Sequence, residues 1–351
     1  MARESKASGG HAVAVADSGA KPTLKTISQI SGLAVATVSR ALSDAPDIKD
    51  DTKVLVRRIA REIGYVPNRA GVRLRTGRTS VISLILPTER TMITTHAPEL
   101  IASIASTLRH TPYHLTITPY FNDQDPMEPV RYIVENHMAD GVILNQTLPD
   151  DPRVKFLIDR KFPFATHGRT NLSDKHAYFD YDNDAWARIG VRRLAASGCR
   201  QIAMLAPPVD QNYSQLMIQA ATEEAQKLGL GLHVAVNATS DSEADHIQDV
   251  VRKRLLASPE VGGYICASTR AAMAVVAASE DIGRVVGQTI QVYAKEAVTV
   301  LNLFRKDMIV AKEDVAQAGE FLARAVMQAI RDPDKPPMQG LEVPTEDELA
   351  T

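Results

Sequence analysis

A chain of 351 residues, 44% hydrophobic and 23% charged, has room for two or three folded domains, which excludes a collagen-like or wholly disordered protein. Its 40 Lys+Arg and 42 Asp+Glu nearly cancel, and no apolar run approaches the roughly 18–20 residues of a membrane span. The first residues lack a secretory apolar stretch and Cys199 and Cys266 form no CxxC pair, so a reduced, cytoplasmic protein without membrane partners is expected.

The near-neutral total hides a split. Lys21–Arg78 holds 12 Lys+Arg and 5 Asp+Glu, leaving 28 and 37 for the rest. A small basic module on a larger acidic body is the pattern of a nucleic-acid binder with a separate sensing domain. Residues 1–20 are rich in Gly, Ala and Ser without an apolar period, and read as a tail. Leu24, Ile27 and Ile30 mark the face of a first helix, which Gly32 breaks. A second helix is expected over 35–42, with Val38 and Leu42 inward. A third is expected over 50–63, with Val54, Ile59 and Ile63 as its apolar set and Gly64 as its end. Two short helices across a glycine turn, backed by a third, make a helix-turn-helix module.

From Val81 the texture alternates. Strand-sized runs at 81–86, 113–120, 141–144, 162–167, 201–206, 232–236, 262–268 and 289–294 are separated by helical stretches at 98–110, 129–137, 184–197, 214–228 and 270–282. The rhythm predicts parallel sheet covered by helices. Eight strands fit one large sheet, two doubly wound sheets or a closed barrel, and periodicity leaves these open. No GxGxxG follows a strand, no GxxxxGK[ST] occurs, and the nine histidines have no close metal-ligand spacing. No cofactor, metal or catalytic residue is therefore expected.

TLKTISQISGLAVATVSRALSD (23–44), GYVPNRAGVRLRTGRT (64–79), HGRT (167–170) and FDYDNDAWARIGVRRLAASGCRQIAML (179–205) resemble the lactose/galactose repressor (LacI/GalR) family of bacterial transcriptional regulators. The resemblance spans about residues 22–340. It implies two Rossmann-like doubly wound subdomains, like those of periplasmic binding proteins, preceded by the all-α helix-turn-helix domain. The implied organisation is a tail at 1–20, the DNA-binding domain at 21–66, a hinge helix and linker at 67–79, an effector-binding and dimerisation domain at 80–340, and a tail at 341–351. One subdomain would hold about 80–180 and 304–335, the other about 181–303 and 336–340. Chain crossings are then expected near Asp180–Tyr181, Leu301–Phe304 and Asp334–Met338.

On the second helix, Val35, Ala36 and Arg40 face outward, with Thr37 and Ser39 beside them. Arg40 suits bidentate pairing with guanine, worth about 1–3 kcal/mol of discrimination. Small apolar Val35 and Ala36 suit a thymine methyl, and the family's base-reading pair falls on them; Thr23 at the first helix start joins this DNA-facing set. The resemblance makes 67–75 a hinge helix that forms on DNA. Asn68 lies at its start, Arg69 and Arg73 on phosphates, and Leu74 wedges into a minor-groove step; the alternative is a plain basic linker.

Ligands of open parallel sheets sit at strand C-terminal ends, between subdomains where there are two. His167 and Arg169 follow the fourth strand, Ser268, Thr269 and Arg270 the seventh, and Lys295 and Glu296 the eighth, where the resemblance implies that Glu296 is a carboxylate that binds sugar hydroxyls. The family's arginine after the fifth strand falls on Met217. Asp182 and Asn183 suit a helix cap and crossover, and Trp186 suits helix–sheet core. The last 21 residues hold four prolines and no apolar heptad, so a homodimer is expected rather than a tetramer. The whole implies a repressor that binds a palindromic operator in double-stranded DNA and answers to a small carbohydrate or polyol. The competing reading is a solute-binding protein of a sugar transport system, and an enzyme on the same fold stands third.

Overall fold

The computed structural model describes residues 21–66, 71, 73, 77–88, 96–121, 123–297 and 299–344. It divides into two compact units, Met1–Arg78 and Thr79–Thr351.

In the first unit, helices α1 (Leu24–Ser31), α2 (Val35–Leu42) and α3 (Asp50–Glu62) close on a core of Ile27, Val38, Ala41, Val56, Ile59 and Ala60. A capping box starts α1. The Thr26 amide donates to Thr23 Oγ1 at 3.3 Å and the Thr23 amide to Thr26 Oγ1 at 3.1 Å, satisfying two otherwise unpaired donors. Gly32, at φ 69°, stops the helix in the left-handed region where a β-carbon would be strained. Two expected core residues lie outside. Ile30 is 39% and Val54 63% exposed, because the buried face of α3 runs through Val56, Ile59, Ala60 and Ile63, and Val54 stands about 200° away from Val56 on a helix. Gly71 and Arg73 have helical backbone, and the Gly77 amide donates to the Arg73 carbonyl at 2.8 Å. The expected hinge residues Asn68, Arg69 and Leu74 lie outside the described residues.

The second unit holds two parallel sheets. The first has the order β11-β5-β4-β3-β1-β2, built from β1 (Val81–Pro87), β2 (His114–Tyr120), β3 (Gly141–Leu144), β4 (Phe164–His167), β5 (Ala177–Tyr181) and β11 (Gln339–Glu342). The second has the order β10-β9-β8-β6-β7, built from β6 (Gln201–Leu205), β7 (Gly231–Val234), β8 (Val261–Cys266), β9 (Gln291–Glu296) and β10 (Ile309–Lys312). Both are doubly wound, which removes the barrel alternative.

The first sheet is covered on one face by α4 (Ala97–Leu108) and α12 (Val315–Arg331), and on the other by α5 (Met127–Glu135) and α6 (Pro152–Asp159). The second carries α7 (Asn183–Ala196) and α8 (Asn212–Lys227) on one face, and α9 (Ala244–Ala257) and α10 (Thr269–Asp281) on the other. A short α11 (Leu301–Phe304) follows β9. Helices α4 and α12 approach so closely that a β-carbon at Gly319 would strike the Ser103 side chain and lie 3.1 Å from the Leu100 carbonyl. Trp186 is fully buried against Tyr293, ring centroids 5.1 Å apart.

Two of the three expected crossings move. The chain leaves the first sheet after β5, and Asp182 caps α7 by accepting from the Ala185 amide at 3.1 Å. It returns after β10, at 313–314, and not at Leu301–Phe304, because Ile309–Lys312 pairs with β9 in the second sheet. The stretch from α12 to β11 then stays with the first sheet, where Gln339 pairs with Tyr178. Residues 336–340 therefore do not pass to the second subdomain, and Asp334–Met338 is a turn between α12 and β11.

Candidate functional site

On α2, Val35 is 42% exposed and Ala36 and Arg40 are also exposed, while Val38 and Ala41 turn into the core. One face of an eight-residue helix thus presents two small apolar side chains and a guanidinium, flanked by half-buried Thr37 and Ser39. Arg40 is held by an ion pair with Asp47 across the loop after α2. Asp44 accepts Lys53 at 3.3 Å and Arg57 at 2.9 Å from α3, and this pairing holds its carboxyl below the usual range.

In the second unit, a cleft with about 910 Å³ of empty space, part of it open to solvent, lies at the C-terminal ends of the strands of both sheets. Loops diverge there, so side chains from many strands converge on one space. The first sheet contributes His96, Asn145, His167 and Asp180, and the second contributes Asn183, Ser268, Arg270, Lys295 and the Ser240–Asp241 loop. Glu313, on the returning crossover, lies between them.

Lys295 organises the centre. Its Nζ lies 3.0 Å from Glu313 Oε2, donates to Asn183 Oδ1 at 3.1 Å, and stands 5.0 Å from the Tyr181 ring centroid. Burial, the largest single influence, would raise the Glu313 carboxyl, but Lys295, His167 and His96 together outweigh it and hold the pKa below the ordinary value. His167 stands 3.8 Å from Glu313 and packs edge-on to His96, ring centroids 5.6 Å apart. Burial pushes His167 down to about 4, with the neighbouring His96 adding to the effect, and lowers His96 as well. Both imidazoles are neutral at pH 7. Asn145 Nδ2 donates to His96 at 3.0 Å, fixing Nε2 as the acceptor. The subdomains also touch through the backbone, where the Asn212 amide donates to the Thr147 carbonyl at 2.9 Å.

Residues 23–68 match the model of bacterial regulatory proteins of the lacI family, and 191–348 match a periplasmic binding protein-like domain. The chain is similar to the HTH-type transcriptional regulator AglR of Rhizobium meliloti (strain 1021), 26% identical over 323 residues that cover 91% of this chain and 90% of that one. The chain belongs to the lacI family. RafR of Escherichia coli, another HTH-type transcriptional regulator, is 32% identical over 54% of this chain and 57% of its own. Among solved structures, a lac repressor dimer bound to operator and the anti-inducer ONPF superposes with a TM-score of 0.77 at 17% identity, covering 93% of this chain and 97% of that one. The CelR–cellobiose complex gives 0.67 at 22%, covering 93% and 98%. A lacI-family chain is a helix-turn-helix transcriptional regulator, and the relatives are named as regulators rather than as enzymes or transport proteins.

Three of the six expected effector residues line the lacI-family cleft, namely His167, Ser268 and Arg270. The others are not among the lining residues. Arg169 donates from Nε to Asp180 Oδ2 at 2.7 Å, so it braces a cleft carboxylate. Met217 is fully buried among the side chains of α7 and β6. Glu296 is buried and its carboxylate accepts the Val300 and Leu301 amides, which caps α11. Its neighbour Lys295, at the same strand end, faces the cleft instead, together with Glu313, His96, Asn145, Asp180 and Asp241, which the sequence reading does not place there. Alternation along β9 was a usable signal: Glu296 and Ala294 turn to one face of the strand and Lys295 to the other. Glu313 had none, since it follows the four-residue strand β10. No helix among the described residues is long and apolar enough to cross a membrane.

Proposed function

We propose that this lacI-family regulator binds a palindromic operator as a homodimer, and that a neutral carbohydrate or polyol in the cleft controls its operator affinity. The observation carrying the effector reading is the cleft lining. Carboxylates of Asp180, Asp241 and Glu313, amides of Asn145 and Asn183, and cations of Lys295 and Arg270 converge from two sheets. Such a set both donates to and accepts from hydroxyls. Its charges nearly balance once Arg169 is counted with Asp180, which favours a neutral ligand over an ionised one. The CelR relative is a complex with cellobiose and another relative is named a ribose operon repressor, which supports the same ligand class.

On DNA, Val35 and Ala36 meet thymine methyls, Arg40 reads a guanine, and Thr37 and Ser39 reach phosphates. Thr23, whose hydroxyl already caps α1, contributes as a helix-start contact, and Asn68, Arg69, Arg73 and Leu74 supply the hinge. With the core of α1–α3 closed behind it, this face of α2 stays exposed, as major-groove docking requires. Calorimetric titration with cellobiose, maltose, raffinose, ribose and sorbitol, paired with operator gel shifts at several salt concentrations, tests the reading. One sugar is expected to bind and to change the shift, and Asp241→Asn to weaken that sugar. A panel with no binding sugar, or binding without effect on DNA, overturns it. Arg40→Ala is expected to relax sequence preference more than it lowers non-specific affinity, and sedimentation to give a dimer.

A further inference from the structure

A second cavity lies in the second subdomain and shares no residue with the effector cleft. It encloses about 1120 Å³ of empty space, including its open mouth, between the sheet and α9. Strand register explains the hollow. Tyr264 on β8, Ala203 on β6 and His233 on β7 stand side by side, and the small central alanine leaves a trough between two hydrogen-bonding side chains. Above it, α9 contributes Val250, Val251 and Arg254, and the chain beyond β7 contributes Ala235 and Asn237.

The chemistry of the lining is one-sided. It holds Arg254, Lys253, His233 and His246 and no carboxylate. Arg254 is half-buried, its Nε is buried without a hydrogen-bond partner, and no carboxylate pairs with it among the described residues. Its neighbour Arg252, two residues earlier on α9, is by contrast bound to Asp249 at 2.8 Å and Asp281 at 2.7 Å. An unpaired guanidinium in a partly desolvated hollow is costly to the fold and matches carboxylate or phosphate oxygens in a bidentate way. His233 faces the same charge, and burial together with Arg254 depresses its pKa. The remaining wall, Leu205, Ala235, Val250 and Val251, is apolar.

We propose that this cavity is a second ligand site, which takes a small organic anion, a carboxylate or phosphate monoester on a compact apolar body. Arg254 receives the headgroup, His233 and His246 flank it, and the aliphatic wall covers the body. The proposal is independent of the effector reading. Benzoate, phenyl phosphate and benzyl alcohol, which share an apolar ring and differ in headgroup, are titrated calorimetrically into the full chain. Both anions, or one of them, are expected to saturate a single site at least 10-fold more tightly than benzyl alcohol, and the tighter anion identifies the headgroup. Arg254→Gln is expected to lower that affinity 10-fold or more at a melting temperature no lower than the parent's, and anion binding to raise the His233 pKa in an NMR titration. Ala203→Val, which fills the trough, provides a second test and is expected to weaken the anion as well. Anions that bind no better than benzyl alcohol, no saturable anion binding, or full anion affinity in Arg254→Gln each overturn the proposal.

Discussion

The recognition helix and the effector cleft are both built from a handful of side chains, yet they are encoded at different ranges. On α2 the exposed set and the buried set lie within eight consecutive residues, so helical phase alone separates Val35, Ala36 and Arg40 from Val38 and Ala41. The cleft draws on the ends of strands from two sheets, and whether a given residue reaches it depends on packing a hundred residues away. Arg169, Met217 and Glu296 are expected there from the family resemblance, but their side chains are claimed by Asp180, by the hydrophobic core and by α11. Position in a family motif fixes the backbone, while neighbours decide where the side chain goes.

The sharpest break of that comparison is Met217→Arg. If Met217 is core, a guanidinium there is buried without a partner, and urea unfolding is expected to show a loss of roughly 3–5 kcal/mol. A variant as stable as the parent, binding sugar more tightly, would instead mean that the side chain reaches the cleft. Next in size is the buried imidazole of His167, which separates a packed cleft wall from an exposed helix face. Its folded pKa is about 4 against an ordinary 6.5, so the unfolded chain binds the proton first as pH falls. The associated stability is full above pH 6.5 and lost as pH drops through 4, up to about 3 kcal/mol. Glu342, pushed up to about 7 by burial, acts oppositely, gaining stability as pH falls through 7. The readout is therefore the difference between parent and His167→Gln, expected to shrink from pH 7.5 to pH 4.5; a difference independent of pH contradicts the buried neutral imidazole.

The same contrast explains what could be read from sequence. All eight apolar runs became strands and the five named helical stretches became helices within about two residues, because their periodicity is local. Strands β5, β10 and β11 went unnoticed. β5 follows β4 through only a three-residue 3-10 helix at Ser173–Lys175 rather than an α-helix, and β10 and β11 are four-residue edge strands, the latter reading QGLE. Losing β10 and β11 misplaced the second and third crossings, and with them Glu313. The carboxylate that faces Lys295 was missed because the strand that delivers it, IVAK, is only four residues long, too short for its apolar run to show an alternation.

Lys295 and Glu296 set this lesson at adjacent positions. Lys295→Met is expected to weaken a bound sugar about 10–100-fold, by removing a charged donor worth roughly 1.5–3 kcal/mol and releasing Glu313. Glu296→Gln keeps an acceptor for the α11 amides and is expected to leave sugar affinity within about two-fold. Calorimetry on the two variants decides between them; a larger loss in Glu296→Gln would restore the family position as the ligand contact.

The smallest expected effect lies on the helix where reading was easiest. Arg40 must leave Asp47 before it can pair with a base, and both side chains are about half exposed. Ion pairs of this kind contribute about 0.2–1 kcal/mol, far less than the 1–3 kcal/mol of a bidentate guanine contact. The exchange therefore favours DNA, with Asp47 acting as a placeholder that orients the guanidinium in the free protein. Asp47→Ala is expected to tighten operator binding by no more than about five-fold, through the lost competitor and one less negative charge near phosphates. The two contributions separate by sequence: relief of competition acts on the operator alone, whereas relief of repulsion acts on all DNA. Equal tightening on operator and random duplex in gel shifts would leave relief of repulsion alone, with no base contact of Arg40 for Asp47 to compete with. Tightening larger on the operator than on random duplex, with that excess abolished in Asp47→Ala/Arg40→Ala, is the outcome expected of a base-reading side chain.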